Sequence, residues 1–380
     1  MDLLREPQPT SLIAQERVEP GPPGPTFVGL AMAMALGACG VAAYLGLRPG
    51  GPFPVEEATA GNPGSMYFPL GLHAARGVSA FAGGFAVAAC AFAARRLWHS
   101  DAVGLLAAAI LALDPGFIAT ARVATPEMLG IAALVGALAF LLAAAPWSHW
   151  AGAGLLALAA LVDPRTVLWG LPLAAMTVLR GHIYAAPRHL GKAALQTGAA
   201  PLAGALLNLL SGAPGLALPP CQVPIGSRLL LLEAPDFGGV AAVHDPVTWF
   251  AGMGALLLLA GAALWMVLNQ VRMARLPGRL QLRLSTGLPA PHGRILWLLV
   301  LALAAPFGTV WVVLFAIALA AGIGLLAEDA PGFGATVALV VLLFGVLALV
   351  RAWPMLHSMG DVGEAASGLV PWGSLTPCIG

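Results

Sequence analysis

Asp114, Arg122 and Glu127 fall within fourteen residues of each other, between two long apolar runs, in a chain of 380 residues of which only 9% are charged. Such groups beside a membrane are costly unless they face a partner, a water-filled cavity or the aqueous boundary. A second acidic group, Glu56-Glu57, lies between the first two apolar runs, in a segment whose Pro and Gly residues disfavour a continuous helix. A carboxylate in such a place suits a general base acting on an acceptor hydroxyl. An arginine suits a leaving phosphate, because its planar fork matches the oxygen geometry. His73 and Arg76 follow at i,i+3 spacing, and Asp163-Pro164-Arg165 forms a further charged turn. Each has a plainer reading as well: loop acids in water, an arginine reaching to the interface, a local ion pair at a helix end.

Other chemistries leave no trace. The eight histidines are scattered, with no pair at i,i+4, so no metal-ligating helix is expected. There is no GxSxG elbow and no Walker or Rossmann spacing. No Lys/Arg-rich block suited to nucleic acid is present.

The elements that must position these residues are membrane helices. Hydrophobic residues make up 59% of the chain, mean hydropathy is +0.88, and apolar runs near the ~20 residues of a bilayer span recur throughout. Short alternating segments of a barrel are absent. The expected fold is an all-α integral membrane bundle of about 11 transmembrane helices, at 25–47, 73–94, 102–119, 128–146, 150–162, 166–179, 194–211, 247–270, 295–306, 308–327 and 334–351. With a cytoplasmic N-terminus, the inner segments hold twelve of the 18 Lys and Arg residues, as the positive-inside rule requires. The expected organisation is a flexible cytoplasmic tail at 1–24, a transmembrane domain at 25–351 and an external tail at 352–380. The external loops would be 48–72 and 212–246, putting the acidic groups on the extracytoplasmic face. Cys221 and Cys378 fall on that same face, where an oxidising compartment permits a disulfide between them.

The order of these features resembles the membrane core of the protein O-mannosyltransferase family, within the GT-C class of lipid-linked-sugar glycosyltransferases. VEEATAG (55–61) stands where that family carries an acidic pair after its first span, and MYFPLGLHAARG (66–77) where it starts its next helix. ALDPGFIATARVATPEM (112–128) follows the family order of an Asp, an Arg and an acid five residues beyond. GGVAAVHDPVTWFAG (238–252) is similar to a later Asn-Pro-aromatic helix start, with Asp245 in place of Asn, and WPML (353–356) to the end of the last span. The Pro-Pro and Lys of the family's helix entry are absent here, leaving His73 and Arg76 nearby, and the first acid of the pair is Glu56 rather than Asp.

The resemblance implies an eleven-span bundle in the cell membrane with its active face outside the cytoplasm. It implies transfer of a sugar, mannose being the family's choice, from a polyprenyl-phosphate donor to an extracytoplasmic hydroxyl. Glu56 or Glu57 would be the base, with Arg122 near the lipid phosphate and Arg76 or Arg165 beside it. Glu127 and Asp114 would orient the arginine, with His73 and Asp245 on the same wall. No metal and no cofactor beyond the lipid-linked sugar is expected, and the partners would be membrane lipid, the donor and other membrane subunits. The alternative, motivated by the altered motifs, is an inactive relative serving as a scaffold or subunit of a larger membrane complex.

Overall fold

A computed structural model describes residues 23–47, 71–124, 126–143, 146–162, 166–170, 172–173, 187–210, 245–274, 292–303 and 308–358. Among them there is no strand. In chain order the helices are α1 (Pro25–Gly46), α2 (Leu72–Trp98), α3 (Asp101–Leu113), α4 (Pro115–Arg122), α5 (Pro126–Leu141), α6 (Pro146–Val162) and α7 (Pro187–Leu210). A π-helical turn, Val247–Ala251, leads into α8 (Gly252–Ala274), followed by α9 (His292–Leu303), α10 (Gly308–Asp329) and α11 (Pro331–Ser358).

Local chemistry sets many of these boundaries. Proline opens α1, α4, α5, α6, α7 and α11, a position where its missing N–H costs nothing and its fixed φ already suits a helix. Ser100 caps α3 by accepting from the Val103 amide at 3.4 Å. His99 ends α2 in the left-handed region, φ 54°, a conformation that helix ends commonly use.

Five helices among the described residues are long and apolar enough to cross a membrane, namely α1, α2, the π turn with α8, α10 and α11. The bent pair α3–α4 raises the number to six, where the sequence alone suggests about eleven. The protein is a multi-pass, all-α membrane protein. Among the other expected spans, α5 and α6 fall below the length of a full span, and 166–179 lies partly outside the described residues. The run expected as one span over 102–119 is broken, with α3 and α4 meeting at 66°. The cause is Asp114-Pro115: the residue before a proline is pushed out of the helical region, and Asp114 sits at φ −72°, ψ 119°. At the other end of the chain, α11 runs on through residue 358, so residues 352–358 belong to a helix and not to a tail.

α2 is the hub. It packs against α1, α3, α4, α5 and α10, and its Ala and Gly side chains permit close approach. A Cβ on Gly84 would lie 2.7 Å from the Ala35 carbonyl of α1, and one on Gly83 would lie 2.7 Å from the Ala121 methyl of α4. The second layer is built on α10, whose Val312–Ala321 stretch is buried among α3, α8 and α11.

One polar pattern recurs across the bundle. The last carbonyls of a helix have no partner within it, and in apolar surroundings such groups must be met by protein. Here neighbours supply the donors. Asn208 of α7 donates to Leu161 O of α6, Trp169 and Trp311 donate to Leu301 O and Ala302 O of α9 at 3.0 and 2.8 Å, and Arg96 donates to Ala139 O of α5. The arginines of the candidate site follow the same rule.

Candidate functional site

α4 carries the site. All eight of its residues, PGFIATAR, are buried, and it touches α1, α2, α3, α5, α10 and α11. Its N-terminus is set by Asp114, which is fully buried. Asp114 Oδ1 accepts from the Phe117 amide at 2.7 Å, the usual N-cap bond. The other oxygen, Oδ2, accepts from the main-chain amide of Asp245 at 2.9 Å. A carboxylate buried at this depth is tolerable only when its oxygens are met by donors, and one of these donors comes from 131 residues away in sequence.

Asp245 continues the chain of caps. It is 2% exposed, and its carboxylate Oδ2 accepts from the Thr248 amide at 2.9 Å and the Thr248 hydroxyl at 2.8 Å. The π turn that follows places Trp249 in an aromatic cluster, with ring centroids 6.0 Å from Trp311 and 5.2 Å from Phe315, both edge-to-face.

The C-terminal end of α4 is held differently. Arg122, 3% exposed, donates through Nη1 to the carbonyl of Leu356 in the last turns of α11. Its own carbonyl presses on Gly46, the last residue of α1, where a Cβ would approach to 2.6 Å. Arg76, also 3% exposed, donates from Nη1 to Gly46 O at 2.9 Å. The carboxyl ends of α1 and α11 and the guanidinium groups of α2 and α4 therefore meet at one junction. Cations suit the partial negative charge of a helix C-terminus, which offsets the cost of Arg76 sitting in the first turns of its own helix.

Glu127, in the first turn of α5, is half-buried and accepts a hydrogen bond from the Thr309 hydroxyl at the start of α10, at 3.3 Å. His73 is exposed. The i,i+3 pair of α2 thus divides, with Arg76 turned into the protein and His73 facing outward. Glu56, Glu57, Arg165, Cys221 and Cys378 lie outside the described residues. Of the remaining candidates, Asp114 and Asp245 come together directly, and Arg76 and Arg122 meet at Gly46.

Sequence reasoning missed Gly46, Thr309 and Leu356. Gly46 is one glycine among 47, and the group that Leu356 contributes is a main-chain carbonyl, which no side-chain pattern announces. Thr309 is a lone hydroxyl at the head of an apolar run, a weak signal that its neighbour Glu127 alone makes meaningful.

Residues 54–163 match the family model described as dolichyl-phosphate-mannose-protein mannosyltransferase. No curated protein and no solved structure matches the chain. The matched segment begins two residues before Glu56 and takes in α2 to α6 with His73, Arg76, Asp114, Arg122 and Glu127. The resemblance seen in the sequence motifs is borne out over this segment.

Proposed function

We propose that this chain is a membrane glycosyltransferase moving mannose from a polyprenyl-phosphate donor to a hydroxyl on the extracytoplasmic face. The observation that carries this reading is the family match over 54–163, which spans the acidic pair and the Arg122 wall in one segment of a multi-pass membrane protein. In the reaction, the acceptor oxygen attacks the anomeric carbon as the bond from that carbon to the phosphate oxygen breaks. The carboxylate of Glu56 or Glu57 takes the hydroxyl proton, and the polyprenyl phosphate leaves with the bonding electrons. Attack from the opposite face inverts the anomeric centre. Arg122, with Arg76 or Arg165 beside it, offsets the charge growing on the leaving phosphate. Glu127 shapes the acceptor side, Asp114 orients Arg122, His73 and Asp245 border the same wall, and no step calls for a covalent intermediate or a metal. Most of the acceleration is electrostatic positioning. The cell membrane is the proposed location.

A second reading has its own support. The guanidinium groups of Arg76 and Arg122 both serve helix carboxyl ends, work that a non-catalytic scaffold or complex subunit would equally need.

The test supplies membranes carrying the protein with radiolabelled polyprenyl-phosphate mannose, beside a Glu56→Gln/Glu57→Gln double variant. Label should pass from lipid to acceptor in the first and fall about 100-fold or more in the second. Equal transfer by both removes the base assignment, and transfer by neither favours the scaffold.

A further inference from the structure

The proposed wall contains a carboxylate whose work extends beyond its own helix. We propose that Asp114 is a positioning residue that locks α4, and with it Arg122, to the start of α8 by accepting two main-chain N–H groups, one from the first turn of α4 and one from a distant segment. The functional half of this proposal rests on the transferase reading above; the lock itself does not.

The geometry divides the carboxylate between two tasks. Oδ1 holds the first turn of α4 through Phe117, while Oδ2 holds the Asp245 amide. Asp245 directs its own carboxylate forward, to Thr248, and its main-chain carbonyl to the Trp249 amide at 2.9 Å. Asp114 therefore grips the α8 lead-in behind its internal caps, where the turn is already rigid. Both bonds lie in a water-poor interior, where a hydrogen bond is electrostatically stronger than in water.

α4 then behaves as a short lever. Eight residues span ~12 Å, all of them packed, so displacement at Asp114 reaches Arg122 with little absorbed between. A shift on the order of 1 Å at a charge that must meet a transition state can cost ~100-fold in rate. Asp114 touches none of the reacting atoms in this scheme; it acts through Arg122.

Asn at position 114 separates this role from simple helix capping. Asn caps a helix start about as well as Asp, so its single oxygen can serve Phe117. Its amide group then confronts the Asp245 N–H with another donor, and the link to α8 is cut while α4 remains capped.

The experiment compares the full-length chain with Asp114→Asn in phospholipid nanodiscs. Amide hydrogen exchange is read residue by residue, and transfer of radiolabelled mannose from polyprenyl-phosphate mannose to a Ser/Thr peptide is followed in parallel. The expected result is exchange at Asp245 faster by about 10–100-fold, the span of a charged hydrogen bond, with Phe117 and the amides of α10 within about threefold of the unaltered protein. Transfer kcat should fall about 10–100-fold while KM for the donor moves less than about threefold. Unchanged exchange at Asp245 overturns the lock. Acceleration at Phe117, or throughout the bundle, overturns it as well, because Asp114 would then be an ordinary cap or a general stabiliser. Selective exchange with an unchanged kcat sinks the positioning role. If the unaltered chain transfers no mannose, the transferase reading falls, and the lock stands or falls on the exchange pattern alone.

Discussion

α4 is fastened at its two ends by opposite means. At the N-terminal end a short, stiff carboxylate accepts from two main-chain amides, Phe117 and Asp245. At the C-terminal end a long guanidinium donates to a main-chain carbonyl, Leu356, and the helix backbone is pressed against Gly46. The first fastening has one workable length, since an added or missing methylene displaces both bonds together. The second is made by a side chain with several rotatable bonds, whose charge survives a change of partner. The difference teaches that α4 is registered from Asp114 and adjusted at Arg122. A helix anchored this way presents a cation at its adjustable end, the end assigned to the leaving phosphate in the proposed reaction.

Substitutions at three positions break or sharpen that contrast. Arg122→Met should have the largest effect, removing both the donor to Leu356 and the proposed phosphate charge, with transfer kcat falling about 100- to 1,000-fold. Arg122→Lys should fall less, since the charge is kept and the fork lost. Wild-type transfer by Arg122→Met would reduce this end to a fastener and strengthen the scaffold reading. Gly46→Ala comes next. Its methyl would meet the Arg122 carbonyl at 2.6 Å, a main-chain atom with little freedom to move, so thermal unfolding in detergent should register a loss of about 1–3 kcal/mol. An unchanged melting temperature would mean that the junction is looser than its distances imply. Thr309→Val is the mildest, deleting one hydroxyl at 3.3 Å from Glu127. Its stability loss should be about 0.5 kcal/mol, and a loss above about 2 kcal/mol would make the α5–α10 contact a third fastening of comparable rank.

Much of this was legible in the chain itself. Composition gave the all-α membrane class, because a 59% hydrophobic sequence with span-length runs has few other ways to satisfy its backbone. The motif order gave the similarity that the family match bears out over 54–163. Asp114, Arg122 and Glu127 stood out because charge is scarce here. The break at Asp114-Pro115 was less visible, since hydropathy counts the residues of a run and is blind to the direction of its axis. Hydropathy also says nothing about depth: α10 and α11 are comparably apolar, yet α10 is core while much of α11 faces outward. The partners were hidden for a different reason. Arg122 meets a carbonyl 234 positions away, and Asp114 an amide 131 away. Main-chain groups are the same at every residue, so the sequence could mark the arginine and the aspartate without marking what they hold.

Those separations carry a consequence for biosynthesis. The family-matched segment is translated long before Asp245 and Leu356 exist, so α4 enters the membrane with neither distant fastening available to it. Its aspartate and arginine must be sheltered by water, headgroups or translocation machinery until α8 and then α11 arrive. The wall is therefore completed in two stages, first by the lead-in to α8 and then by α11, the last described helix. A ribosome that stops early leaves the carboxylate and the guanidinium without these distant partners.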